Sequence, residues 1–156
     1  MSSMAKEDLK RFLDEQKLMA IATSSKDKGM WIANVYYAID KDFNFYFVSE
    51  PKTRHSQDIH ENPEVAIAIA RFAPDNLSDR NGVQITGEAH KIETLVDMGK
   101  ALAIYTGKFI SSGGVITMDN IKHKIIRARP YIIKPKLIKF WSDKLYGSEG
   151  TEIFEF

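Results

Sequence analysis

Residues 45–69 read FYFVSEPKTRHSQDIHENPEVAIAI, and the order of residue types in them decides the architecture. The first five are aromatic or small and β-branched, a composition that suits a strand. Glu50, Pro51 and Lys52 interrupt it. Thr53 is a residue type that caps helices, because its hydroxyl can accept a bond from an N–H that the first helical turn leaves unpartnered. Residues 54–61 then make a short polar helix, and Asn62 and Pro63 stop it, since the residue before a proline is pushed out of the helical region. Residues 65–72 are extended again, with Val65, Ile67 and Ile69 on one face and Ala66, Ala68 and Ala70 on the other. The three alanines predict that a helix or a second sheet approaches that face closely.

Towards the N-terminus, Leu9, Phe12 and Leu13 form one stripe of an amphipathic helix over residues 5–16, with Ser3 near its start. Residues 18–23 are a compact apolar strand, and Lys26, Asp27, Lys28 and Gly29 form a turn. Residues 30–39 alternate, with Trp31, Ala33, Val35, Tyr37 and Ile39 on one face and Ile32, Asn34, Tyr36 and Ala38 on the other. Both faces carry bulky or specific groups, as if both were covered. Asp40, Lys41 and Asp42 turn the chain into a strand over residues 43–49, which completes a three-strand meander. Beyond residue 72, a loop over 73–81 leads to a strand over 83–92, where Gly87 marks a bulge or bend. Thr94 opens a helix that uses Leu95, Met98, Leu102 and Tyr105 and that Gly107 ends. Residues 109–117 read as a loop and 119–128 as a short helix. Residues 131–142 form a strand that Pro135 confines to an edge or a bulge, and 151–156 close as a last strand.

Strands joined by short turns pair antiparallel. Six or seven of them with interleaved helices make an α+β, mainly β fold, a closed or partly closed barrel rather than a doubly wound sheet. A length of 156 residues suits one domain, residues 1–156. The charge balance, 22 Lys and Arg against 21 Asp and Glu, argues against a dedicated nucleic-acid coat. The absence of cysteine excludes disulfides, thiolate metal sites and cysteine nucleophiles. The longest aliphatic run, residues 65–70, is far short of the ~18 residues of a membrane helix. No basic-then-apolar leader pattern opens the chain, so a cytoplasmic protein is expected.

Chemistry concentrates at residues 48–55, where a strand runs into a helix start that carries Lys52, Thr53, Arg54 and His55. Unpartnered N–H groups and the helix dipole favour an anion there, and a lysine with an arginine is the usual pairing for a phosphate monoester. The same residues also describe a solvated helix cap. His55 and His60 are five apart and share no helical face, so no metal site is expected. No G-x-S-x-G or P-loop pattern is present and no catalytic residue can be named, so any chemistry would be carried by a cofactor. Residues 120–144 hold eight cations against the single acid Asp143. They read as a solvated face, or as a nucleic-acid or partner surface, the weaker reading because aromatic interleaving is missing.

Residues 45–69 resemble the signature of the pyridoxamine 5′-phosphate oxidase-like superfamily of FMN-binding split β-barrels. There a strand ending in Phe-Tyr leads to a Ser-Arg-Lys phosphate clamp, a short helix, an Asn-Pro stop and a valine-rich strand. The order of elements agrees along nearly the whole chain. The blocks WIANVYYAID (31–40), EPKTRH (50–55), GVQITGE (82–88) and LIKFWSDKLYG (137–147) resemble those of a small bacterial branch. The resemblance implies a split barrel flanked by short helices, in a homodimer with FMN in a groove between subunits. Thr53 and Arg54 would bind the phosphate with help from Lys52 and His55, and Val48 and Ser49 would touch the ribityl phosphate. Ile32, Asn34, Val35 and Tyr36 would lie along the isoalloxazine, with Asn34 as the polar group. Gln84 would face the flavin, although the family's glutamine aligns nearer Gly82, and Trp141 would come from the partner to cover the ring.

This chain departs from the pattern at His55, which replaces a lysine and neutralises less charge unless it is protonated or Lys52 compensates. It also lacks the oxidases' C-terminal substrate block, so oxidation of pyridoxamine phosphate is not implied. The expected function is a flavin-dependent oxidoreductase, or flavin reductase-like protein, acting on a small molecule or electron donor. The alternative is a non-catalytic flavin- or haem-binding or sensing module.

Overall fold

In the computed structural model, residues 2–73, 75–111, 119, 122, 123, 127–148 and 150–156 are described. The elements in chain order are α1 (Ser3–Glu15), β1 (Leu18–Ser25), β2 (Gly29–Tyr36), β3 (Ala38–Ile39), β4 (Phe45–Ser49), α2 (Arg54–Glu61), β5 (Glu64–Arg71), β6 (Asn81–Lys91), α3 (Leu95–Ser111), β7 (Arg129–Ser142), α4 (Asp143–Tyr146) and β8 (Thr151–Glu155). The fold is α+β, as expected. The described strands form an eight-stranded sheet in the order β2-β1-β5-β6-β7-β4-β3, with β8 paired to β7, and every pairing is antiparallel.

The expected meander is changed in one respect that closes the barrel. Residues 30–39 are not one strand. β2 pairs with β1, β3 pairs with β4, and only Tyr37 separates them. The two ends of the sheet are therefore consecutive pieces of one chain run, and the covalent backbone curls the sheet upon itself. Tyr37 is fully buried at this point, its N–H donates to the Lys17 carbonyl at 3.1 Å, and its hydroxyl donates to the Leu13 carbonyl at 2.7 Å. α1 fills the interior with Leu9 and Leu13, both at 0% exposure, and Phe12 meets Phe140 at 5.4 Å. Ser2, not Ser3, caps this helix by accepting from the Ala5 N–H at 3.2 Å.

β7 is not an edge. It pairs with β6 along its length, with β4 at its first half and with β8 at its second. Pro135 sits opposite Gly87 at a register shift between Thr86 and Gly87. A proline cannot donate to the ladder, so the bulge removes the need for it to do so. A Cβ on Gly87 would lie 2.5 Å from the Lys134 carbonyl oxygen, so only glycine fits the bulge.

Among the described residues, no element covers the alanine face. Ala66, Ala68 and Ala70 are exposed, and so are Met30 (79%), Trp31 (45%) and Ile32 (64%) on β2. Among the described residues of one subunit, the expected covering element and the doubly covered second strand are not found. α3 passes through Gly107 to Ser111 instead of stopping, and it buries Tyr105 and Phe109 while Leu95 is 86% exposed. Residues 112–118 and most of 119–128, read from sequence as a loop and a helix, lie outside the described residues. Among the described residues, no helix is long and apolar enough to cross a membrane.

Candidate functional site

The end of β4 and the start of α2 form a compact hydroxyl network. Thr53 caps α2, accepting from the Ser56 N–H, and its Oγ1 donates to the Glu50 carbonyl at 2.9 Å and lies 2.8 Å from Ser56 Oγ. Ser49 Oγ is 2.6 Å from His55 Nε2 and 3.3 Å from Thr53 Oγ1. His55 is thus turned inward, 9% exposed, with its ring against Phe47 at 6.3 Å. Burial lowers its pKa, with Asp58 pulling the other way, so at pH 7 the imidazole is neutral. Lys52 stands in solvent, 3.3 Å from Glu50.

Arg54 reaches across to the β1–β2 hairpin. Its Nη2 donates to the Lys28 carbonyl at 2.7 Å, and its guanidinium lies 4.6 Å from the centre of the Trp31 ring. Its Nε is buried, has no hydrogen-bond partner among the described residues, and lies 3.8 Å from Asp58 Oδ2. Asp58 is 2% exposed and accepts a bond of 2.8 Å from Thr23. Asp58, Thr23 and Trp31 are not among the site residues expected from the sequence. The spacing of Asp58, four residues after Arg54 on a helix, was the available signal.

The remaining candidates fall into two groups. Ile32, Asn34 and Gln84 share the outer face of the sheet. Asn34 pairs with Ala20, Ala20 with Ala68 and Ala68 with Gln84, a row across four strands that spans about 14 Å at the usual strand spacing. Trp141 joins this face, because it pairs with Gly82 and its ring lies over it. A Cβ there would be 2.3 Å from Trp141 Cζ2. Gly82 therefore accommodates the Trp141 indole. Val35 packs against the core, and Tyr36 and Val48 pack against Tyr105 and Phe109 of α3. These three are brought to other surroundings than the clamp and the outer face.

Behind α2 lies a separate cavity of about 470 Å³, lined among others by Ser56, Ile59, His60, His90 and Tyr131. Among the described residues, no group of three His, Asp or Glu side chains could hold a metal ion.

A curled antiparallel sheet closed through one residue, with a polar helix start at the end of β4, is the frame of a split β-barrel. The chain belongs to the pyridoxamine 5′-phosphate oxidase family, which matches residues 5–133. A UPF0306 protein of Photorhabdus laumondii is 32% identical over 84 residues, 53% of this chain and 57% of that relative. The chain spans about half the length of the curated relatives it matches. Among solved structures, Campylobacter jejuni ChuZ superposes with a TM-score of 0.76 at 16% identity, over 99% of this chain and 61% of ChuZ. HutZ, the haem storage protein of Vibrio cholerae, superposes with a TM-score of 0.67 at 14% identity, over 96% of this chain and 93% of HutZ. At these identities the likeness is one of fold.

Proposed function

We propose that the protein is an FMN-binding homodimer of the pyridoxamine 5′-phosphate oxidase family that acts as an oxidoreductase on a small molecule. The observation that carries this reading is the pairing of the Thr53-capped helix start with Arg54, whose buried Nε has no hydrogen-bond partner among the described residues. A guanidinium, a helix N-terminus and hydroxyl groups are a donor set suited to a phosphate monoester. Arg54 and Thr53 would hold the phosphate, with Lys52 at the rim. His55 would position the hydroxyl of Ser49 instead of supplying charge. The outer face offers a bed of small side chains, with Asn34, Gln84 and Thr86 as polar groups and Lys139 beside Gln84, suited to a planar ring with polar edges. A second subunit on that face would cover the exposed Met30 and Ile32 and exclude water from the ring. Bound FMN supplies one- and two-electron transfer that no side chain here provides. The chain contributes binding, orientation and a dry cleft.

A second reading, non-catalytic binding of haem, is favoured by the likeness to HutZ and by His60 and His90 on one cavity. Incubation with FMN or with haem, desalting and a visible spectrum separate the two. A retained flavin spectrum near one per subunit is the expected result. A haem Soret band with no retained flavin would overturn the flavin reading. Oxidation of NAD(P)H by the loaded protein then distinguishes an enzyme from a store.

A further inference from the structure

Resting on the FMN reading, we propose that Asp58 sets how strongly this site selects a phosphorylated flavin, by cancelling the charge of Arg54 from beneath. Asp58 projects from α2 one turn after Arg54, is 2% exposed, and is held in place by the Thr23 hydroxyl at 2.8 Å. The oxygen that accepts from Thr23 is also the one 3.8 Å from Arg54 Nε. The pair is thus an attraction of charges without a hydrogen bond, and among the described residues the buried Nε has no other partner. At the rim, Lys52 stands against Glu50 at 3.3 Å. The two cations of the clamp are matched by two carboxylates. His55, whose pKa burial depresses, adds no charge at pH 7.

A phosphate monoester carries about −1.5 to −2 at pH 7. Within the set of Lys52, Glu50, Arg54, Asp58 and His55, what remains for it is the partial positive charge of the helix end, about half a unit. The phosphate then adds little to affinity and most of the binding comes from the ring on the alanine face. The site takes FMN as an exchangeable ligand and accepts riboflavin nearly as well.

The test is a titration of FMN and of riboflavin into wild-type protein, Asp58→Asn and Glu50→Gln, at low and moderate salt. Asparagine keeps the shape and an acceptor for Thr23, and Glu50 lies at the surface, so the second variant remains informative if the first does not fold. Wild type should prefer FMN over riboflavin by less than about tenfold. Asp58→Asn should raise that preference about tenfold, with riboflavin affinity unchanged, and make FMN binding salt-sensitive. Glu50→Gln should move it the same way by a smaller factor, because its pair is solvated. A merely structural role for Asp58 would weaken both flavins together and raise no preference. A wild-type preference above about a hundredfold, or a ratio that neither variant changes, overturns the inference while leaving FMN binding intact. A wild type that binds neither flavin overturns the cofactor reading itself, and this inference falls with it.

Discussion

Two residues of the clamp act in opposite senses. Arg54 touches the hairpin carbonyls, the Trp31 ring and the field of Asp58 at once. Arg54→Ala removes a charge-assisted donor and leaves Asp58 uncompensated below the phosphate. It should weaken FMN binding by about 1.5–3 kcal/mol and leave riboflavin unaffected, as read by flavin fluorescence titration. His55 is instead a buried neutral group whose pKa burial holds below 6.5. The unfolded chain takes up a proton that the folded protein resists. Stability is therefore at its full value above about 6.5 and falls as pH drops below it, towards the depressed pKa. Urea unfolding at about pH 7.5 and 5.5 should show this loss, and His55→Gln should flatten it. The residue types of the clamp were legible from sequence, because a strand, a turn and a capping threonine fall in consecutive positions. The direction in which His55 points was not, since it depends on Ser49 of β4 lying within bonding distance of the imidazole.

Among the elements, α3 shows tertiary packing overriding a local stop signal. Gly107 lies inside the helix, exposed, and among the described residues nothing lies within 4 Å of a Cβ placed there. The helix continues past it because Phe109 packs at 4.8 Å on Tyr105 and at 5.7 Å on Tyr36. Lys108 stands over the Tyr37 ring at 3.9 Å and donates to the Leu13 and Gln16 carbonyls at the end of α1. Burial pushes its pKa down to about 8. Glycine in a helix interior costs roughly 0.5–1 kcal/mol relative to alanine. Gly107→Ala should therefore raise stability by about that amount in chemical denaturation. Gly82 is the contrary case, because a Cβ there would collide with Trp141 and with the Ile69 carbonyl at 2.9 Å. The bulge at Gly87 and Pro135 was foreseeable from either residue alone. That the two face each other was not, because their pairing is set by the register of β6 on β7.

For the whole molecule, the decisive feature is the outer face, which no element covers among the described residues. Small side chains on β1, β5 and β6 lie beside the exposed Met30 and Ile32 of β2, an apolar surface that a solvated subunit would not be expected to leave open. If a second copy covers it, a long cation at its centre cannot be buried there without a partner. Light scattering on eluted protein should find wild type as a dimer and Ala68→Arg as a monomer of unchanged circular dichroism, with the variant losing flavin retention. A monomeric wild type would remove the proposed inter-subunit groove.

The sequence by itself determined the secondary structure around the clamp and the antiparallel character of the sheet, because these depend on local order: period-two alternation, caps, and prolines that cannot donate; the family followed from the resemblance of residues 45–69. Tertiary structure alone decided that residues 30–39 divide at Tyr37 to join the two ends of the sheet, and that His55 is buried and neutral while Arg54 leans on Trp31. Each of these depends on which distant strand comes to lie alongside. That is set by the packing of one shared core around α1, which no local pattern encodes.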